Sequence, residues 1–293
     1  MEIARLPVKI ESTVSIELKD ALMSDSSAAG GDGKQAPSLD TTVPQTARIW
    51  NYWLGGKDNF AVDREVGDQI YGAFPQIVEN ARLSRAYLVR AVRYLAGEAG
   101  VRQFLDIGTG LPTADNTHEV AQSVAPESRI VYVDNDPLVL VHARALLTST
   151  PEGATDYIDA DMRDADQIVR EASRTLDLTK PTALILMGIL GHIKEDDEAQ
   201  SIVRGIMDVL PAGSYVAMYD GTDTSPGVVE AARIWNQSAN PQYHLRSPER
   251  IARFFDGLEL VEPGVVSVTR WRPGLDNDDL PEIDQYCGVG RKA

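Results

Sequence analysis

The run Phe104-Leu105-Asp106-Ile107-Gly108-Thr109-Gly110-Leu111-Pro112-Thr113 joins a carboxylate to a glycine bend. Asp106 stands two residues ahead of Gly108, where a carboxylate can accept hydrogen bonds from an amine. Gly108 and Gly110 permit backbone angles and close approaches that a side chain would block. The third glycine of a G-x-G-x-x-G fingerprint is replaced by Thr113, so a tightly held pyrophosphate is less well served. An acid followed by G-x-G with no third glycine suits a loop that holds an amino-acid-bearing nucleoside. A second carboxylate, Asp134, closes the run Arg129-Ile130-Val131-Tyr132-Val133. It is the expected ribose ligand, since one carboxylate can accept both vicinal hydroxyls. The plain alternative is a turn residue at a strand end. His192 follows Gly188-Ile189-Leu190-Gly191 at the end of an apolar run. Its ordinary pKa lies near neutrality, which makes it the best candidate for a general base. The alternative is that it caps the helix that follows. Thr109, Asn135 and Gly188, at the bends after these runs, complete the expected cofactor contacts.

These groups need rigid elements to hold them. Phe104 to Ile107 reads as a strand buried on both faces, and Pro112 suits the first turn of a helix running from Ala114 to Val124. Residues 129–134 form a second strand. Asp136-Pro137 reads as a cap and first turn for the helix Leu138 to Leu147. Tyr157 to Asp164 holds a third strand and its exit. Pro181 to Met187 is an apolar fourth strand, a helix is expected from Asp196 to Leu210, and Tyr215 to Asp220 is the fifth strand. Strands alternating with helices predict an α/β fold with a mostly parallel central sheet and helices on both faces. Ligands bind such sheets at the carboxyl ends of the strands, where the strand order reverses. The loop 221–227, the helix 228–237 and the polar stretch to Arg246 would overhang that edge, so substrate choice is expected there. Ser247-Pro248 opens a helix to Phe255, and short strands at 258–261, 265–271 and 286–291 could supply an antiparallel C-terminal edge.

The N-terminal part is organised differently. Residues 1–23 alternate weakly, and 24–46 are rich in Ser, Ala, Gly, Asp, Pro and Thr, as a disordered linker would be. Aromatics crowd 47–75, around the break at Gly55-Gly56. Two readings stay open: a segment that only packs, or a cap over the cofactor with Tyr52, Lys57 and Asn59 as polar contacts. Residues 75–96 show helical periodicity and end at Gly97 and Gly100. The expected organisation is a tail over 1–46, a helical cap over 47–97 and a binding domain over 98–293.

The 293 residues carry 28 Lys and Arg against 44 Asp and Glu, a net charge of −16. That argues against nucleic acid, because phosphate binding needs clustered cations. No apolar run reaches the length of a membrane span, no secretory signal is visible, and one cysteine excludes an internal disulfide. A cytoplasmic protein with a small-molecule substrate is expected. No carboxylate and histidine cluster at ligand spacing suggests a metal.

The motif Asp106-Ile107-Gly108-Thr109-Gly110 resembles the first motif of class I S-adenosylmethionine-dependent methyltransferases. The segments Trp50-Asn51-Tyr52-Trp53-Leu54-Gly55-Gly56-Lys57-Asp58-Asn59-Phe60 and His118-Glu119-Val120-Ala121-Gln122 narrow the resemblance. They point to one subfamily, the S-adenosyl methyltransferase family once filed as a domain of unknown function. The match runs from about Thr46 to the C-terminus. It implies a Rossmann-like methyltransferase fold, S-adenosyl-L-methionine as cofactor, and methyl transfer to oxygen or nitrogen of a small acceptor. By the same resemblance Asp161 and Met162 take the adenine contacts, with Asp159 as the rival acid. The acid-proline-proline-aromatic motif of many exocyclic-amine methyltransferases is absent after the fourth strand, which disfavours nucleobase amines. Two other functions stand against this one: a non-catalytic regulator that binds the cofactor or its product, and an NAD-dependent oxidoreductase, for which the third glycine is missing.

Overall fold

The computed structural model describes residues 40–146, 148–274 and 280–293. The weak alternation over 1–23 and most of the expected linker lie outside the described residues.

Chain order begins with three helices, α1 (Thr46–Trp53), α2 (Ala61–Ala73) and α3 (Ile77–Gly97). Then come β1 (Gln103–Ile107), α4 (Thr117–Val124), β2 (Arg129–Asp134), α5 (Pro137–Leu146), β3 (Ala154–Asp159) and α6 (Ala165–Ala172). They are followed by β4 (Ala183–Met187), a 3-10 turn (Leu190–His192), α7 (Asp196–Val209), β5 (Tyr215–Gly221) and α8 (Pro226–Ser238). The chain closes with α9 (Pro248–Ala252), a second 3-10 turn (Arg253–Phe255), β6 (Glu259–Leu260), β7 (Val266–Ser267) and β8 (Gln285–Arg291).

The strands form one sheet in the order β3-β2-β1-β4-β5-β8-β6, with β7 also on β8. Strands β1 to β5 pair in parallel, and β8 runs antiparallel to β5. The chain builds outward from β1 through β3, then crosses back to lay β4 beside β1. The strand order therefore reverses between β1 and β4, which opens a crevice at their carboxyl ends. Asp106 pairs with Ile185 and Ile107 with Leu186, so the bends after β1 and β4 emerge side by side.

The period of two along each strand divides the core. Leu105, Ile107, Val131, Val133, Leu184 and Leu186 face one side, against Ile168 of α6 and Ile202, Val203 and Ile206 of α7. Phe104, Ile130, Tyr132 and Ile185 face the other, against Tyr87, Leu88, Ala91 and Leu95 of α3 and Val120 of α4. Asp106 shares the parity of Phe104 and so emerges on the α3 and α4 side. A third apolar cluster joins α1, α2 and α8 through Ile49, Trp53, Val66, Ile70, Val228 and Trp235.

Helix α4 corrects an expectation. It starts at Thr117, and Pro112 lies in the loop before it. The helix begins where Glu119 reaches back to its start: Asn116 N–H donates to Glu119 Oε2 at 2.7 Å, and the Asn116 side-chain amide donates to the same oxygen at 3.1 Å. Strand β4 likewise starts at Ala183, after Pro181, which has no N–H for the ladder. Among the described residues no helix is long and apolar enough to cross a membrane.

Candidate active site

A cavity of about 160 Å³ opens at the reversal of strand order. The bend after β1 supplies Gly108, Thr109 and Gly110 to its wall, β1 supplies Asp106, the exit of β2 supplies Asp134 and Asn135, and the exit of β4 supplies Gly188 and His192. These eight expected residues are thus brought to one place. Gly108, Gly110 and Gly188 have φ of +73°, +66° and +72°, the left-handed region that glycine enters freely. Gly108 carries a second constraint: a Cβ there would lie 2.6 Å from the Ile189 side chain of the neighbouring bend. Gly108→Ala is expected to cost at least about 1–2 kcal/mol of stability, the penalty of a left-handed residue with a Cβ. Thermal unfolding checks this, and an unchanged melting temperature would remove the requirement for glycine.

The two carboxylates are set for different work. Asp106 is 5% exposed and accepts one hydrogen bond, from Thr117 Oγ1 at 2.6 Å. Burial pushes its pKa up to about 6, against the hydrogen bond from Thr117 and the nearby charge of Arg85. Asp134 accepts backbone N–H groups from Gly110 and Asp136, each at 2.9 Å. Burial again raises its pKa to about 6, and these two backbone donors oppose the rise. Neither carboxylate forms an ion pair with a described residue. A buried acid without a paired cation is costly, and a cationic, hydroxyl-bearing ligand would relieve that cost.

His192 is nearly buried. Its Nδ1 lies 2.8 Å from the Gln242 carbonyl oxygen, which can only accept, so Nδ1 carries the proton. Nε2 is then the lone-pair nitrogen, 3.4 Å from Thr46 Oγ1 on the cavity wall. Burial lowers the pKa to about 4, opposed by the bond to Gln242, so the ring is neutral at physiological pH. Its plane meets Tyr243 edge-on at 5.1 Å between centroids. His118 instead packs: its Nδ1 lies 2.9 Å from the Tyr132 hydroxyl, away from this cavity.

Five expected residues do not line the cavity. Asp161 is half exposed and paired with Arg163 at 3.3 Å, while Met162 packs against the α6 and α7 face of the core. Its rival Asp159 is exposed at the end of β3. Asn59 is buried, but its amide is spent locally, on Asn51 Oδ1 at 2.9 Å and the Gly56 carbonyl at 3.0 Å. The Tyr52 hydroxyl donates to Asp68 at 2.7 Å, and Lys57 is exposed. Asn59 braces the Gly55-Gly56 turn and Tyr52 ties α1 to α2; these partners could not be foreseen.

Helix α1 does reach the cavity, through Thr46, Ala47, Trp50, Asn51 and Leu54. Those positions recur at one- and four-residue steps, the spacing of one helical face, and that signal would have found them. The helix is anchored by Arg48, which is buried, pairs with Asp136 at 3.6 Å and packs over the Phe60 ring. Arg85 on α3, also missed, lines the cavity near Asp106 and ties down the following loop, donating from Nη2 to the carbonyls of Ala114 and Asp115 at 3.2 and 3.0 Å.

The S-adenosyl methyltransferase family model matches residues 32–293. A crystal structure of a DUF574-family protein from Streptomyces avermitilis MA-4680 is 46% identical, with a TM-score of 0.84 over 87% of this chain and 99% of its own. A second, from Thermobifida fusca YX, is 44% identical, with a TM-score of 0.80 over 89% of this chain and 99% of its own. The fold extends to magnesium protoporphyrin IX methyltransferase from Synechocystis PCC 6803, solved with S-adenosylhomocysteine, at 10% identity and a TM-score of 0.50 over 84% of this chain and 93% of its own. No curated protein matches the chain. The match decides against the nicotinamide reading and agrees with a carboxylate-lined cavity at the reversal of strand order. The chain belongs to the S-adenosyl methyltransferase family, and it is a methyltransferase whose cofactor is S-adenosyl-L-methionine.

Proposed function

We propose that the enzyme methylates a hydroxyl group of a small molecule, with His192 as the proton acceptor. The observation that carries this reading is the neutral His192 ring, held by Gln242 so that the lone pair of Nε2 faces the Thr46 hydroxyl at the cavity wall. The cofactor supplies a methyl group on a cationic sulfur, open to in-line displacement. Asp106 receives the ammonium of its amino-acid end, and Arg85, beside Asp106, receives the carboxylate. Asp134 accepts the ribose hydroxyls, with Gly108 to Gly110 and Asn135 as the backbone cradle, and Gly188 leaves room at the β4 side.

The low basicity of His192 discriminates between acceptors. A hydroxyl that gains a methyl group becomes far more acidic than imidazolium, so a nitrogen with a pKa of about 4 can take its proton at Nε2. An alkylammonium would not give up its proton to so weak a base. An acceptor hydroxyl would take the place of Thr46 Oγ1 on Nε2. The helix α1 face holds the donor and acceptor together, and orientation of this kind contributes several kcal/mol to the rate.

Labelled methyl transfer from the cofactor to matched pairs of small alcohols, phenols and amines tests the reading. Label is expected in the hydroxyl compounds. His192→Asn is expected to lower kcat by about 10²-fold or more, the usual scale for a general base, with S-adenosylhomocysteine affinity unchanged. Transfer confined to amines, or a variant with full kcat, would exclude the proposed role.

A further inference from the structure

A second cavity, of about 70 Å³, lies beside the first and shares Thr46 and Trp50 of α1 with it. Its walls are aromatic: Trp50, Trp53, Trp235 and Tyr243 all line it. His192 belongs to the first cavity, yet its ring packs on Tyr243 at 5.1 Å and on Trp235 at 6.5 Å. The proton-accepting histidine therefore stands at the partition between the two.

The charge and polar groups of this cavity narrow its occupant. Among the described residues no Lys, Arg or His lines it, and Asp284 does, with its carboxylate held by the hydroxyls of Thr224 and Ser225. Such walls repel an anion. Asn80, 2% exposed, lines the cavity, and its side-chain amide makes no hydrogen bond to another described residue. Gln285, 6% exposed, has one end of its amide on the Ser84 hydroxyl and leaves the other end to the cavity. Both amides line the cavity, so a polar group on a ligand there can hydrogen-bond to both side chains. Flat apolar walls with a few convergent polar groups are the usual form of a small-molecule site.

We infer that the second cavity is the acceptor site, and that the acceptor is a neutral, flat, largely apolar molecule with a polar group at each end. One end is recognised by Asn80 and Gln285, and the other presents its hydroxyl toward His192 at the shared wall. This rests on the methyl-transfer reading above, but the cavity can be tested without turnover. The helix α8 and the polar stretch after it supply Trp235 and Tyr243, so the segment that overhangs the sheet edge shapes the acceptor.

The probe is 2-naphthol, which has the flat apolar body and one hydroxyl for the Asn80 and Gln285 end but no second polar end, with 2-naphthoate as its anionic counterpart, both titrated by calorimetry into the full chain. S-adenosylhomocysteine is titrated separately. Wild type is expected to bind 2-naphthol saturably and 2-naphthoate at least about tenfold more weakly. Ala232→Phe, which fills the cavity from α8, is expected to lose at least about tenfold in 2-naphthol affinity and to keep its S-adenosylhomocysteine affinity. Asn80→Leu keeps the side-chain size and is expected to lose about five- to tenfold for 2-naphthol, the effect of one neutral hydrogen bond, so the test stands if the larger substitution does not fold. Failure of 2-naphthol to bind wild type, equal binding by both variants, or preference for 2-naphthoate overturns the assignment. Loss of S-adenosylhomocysteine binding by wild type would instead strike the cofactor assignment at Asp106 and Asp134, which the 2-naphthol titrations do not involve.

Discussion

Arg246→Met is expected to lower stability by about 3–5 kcal/mol, the usual loss when one partner of a buried ion pair is removed. For a chain of this size that is a fall of roughly 10 °C in melting temperature. Arg246 is fully buried. It donates to the carbonyls of Leu190 and Ile193 at 2.9 and 2.5 Å and to Asp196 at 2.8 Å, and it lies 4.0 Å from Asp220. These bonds grip both sides of His192 and join its turn to β5 and α7. Methionine fills the space but leaves the Ile193 carbonyl unpaired, strips the Leu190 carbonyl of one of its two donors, and leaves Asp220 without its cation. Burial already raises the pKa of Asp220 to about 6, with Tyr243 and Arg246 opposing the rise. A folded pKa above the unfolded value means that ionisation costs stability, and the cost grows as pH rises from about 4 through 6. Without Arg246 the folded value climbs further, so the variant should lose more at pH 8 than at pH 5. Thermal melts at the two pH values check this. A fall of under 2 °C at pH 8, or a larger loss at pH 5, would show that the guanidinium does not hold this turn.

Much of the frame was legible because it rests on local patterns. The β2 run ends in Asp134, and the Asp136-Pro137 pair opens α5, with Leu138 N–H on Asp136 Oδ1 at 2.8 Å. Apolar runs punctuated by glycine gave away the central strands, since a sheet covered on both faces needs them. The expected antiparallel edge is present, with β7 and β8 paired through Val266 and Cys287. Less legible were the polar tips whose partners lie elsewhere in the fold. Asn59 could be read as a packing residue or a cap contact, and its amide is bonded to Asn51, a partner that only the folded turn reveals. Strand parity could not choose between Asp159 and Asp161, and both lie away from the cavity. The second cavity was hidden for a related reason. Asn80 and Gln285 come from α3 and β8, near opposite ends of the described chain, and meet only because β8 returns beside β5.

S-adenosylhomocysteine affinity should rise about tenfold per pH unit up to about pH 6 and level off above it. The amino group of this ligand is protonated throughout that range, and Asp106 must be ionised to pair with it. In the free protein burial holds the Asp106 pKa up at about 6. A bound ammonium favours the carboxylate and lowers that value. Binding therefore releases a proton below pH 6, and affinity is lost as pH falls through the free-site pKa. His192 does not confuse the measurement, since burial lowers its pKa to about 4 and it stays neutral across the window. Asp106→Asn keeps the shape and the contact with Thr117 but removes the charge. It should weaken binding at pH 8 by about 10- to 100-fold, the equivalent of about 1.5–3 kcal/mol for a charge-assisted hydrogen bond. The slope below pH 6 should fall with it. Any slope that survives belongs to Asp134, whose pKa burial also raises to about 6. Calorimetric titrations from pH 5 to pH 8 separate the two. An Asp106→Asn protein that binds as tightly as wild type and keeps the full slope would mean that the amino group of the ligand lies elsewhere. The carboxylate ahead of the glycine bend would then serve only to hold Thr117 and the start of α4.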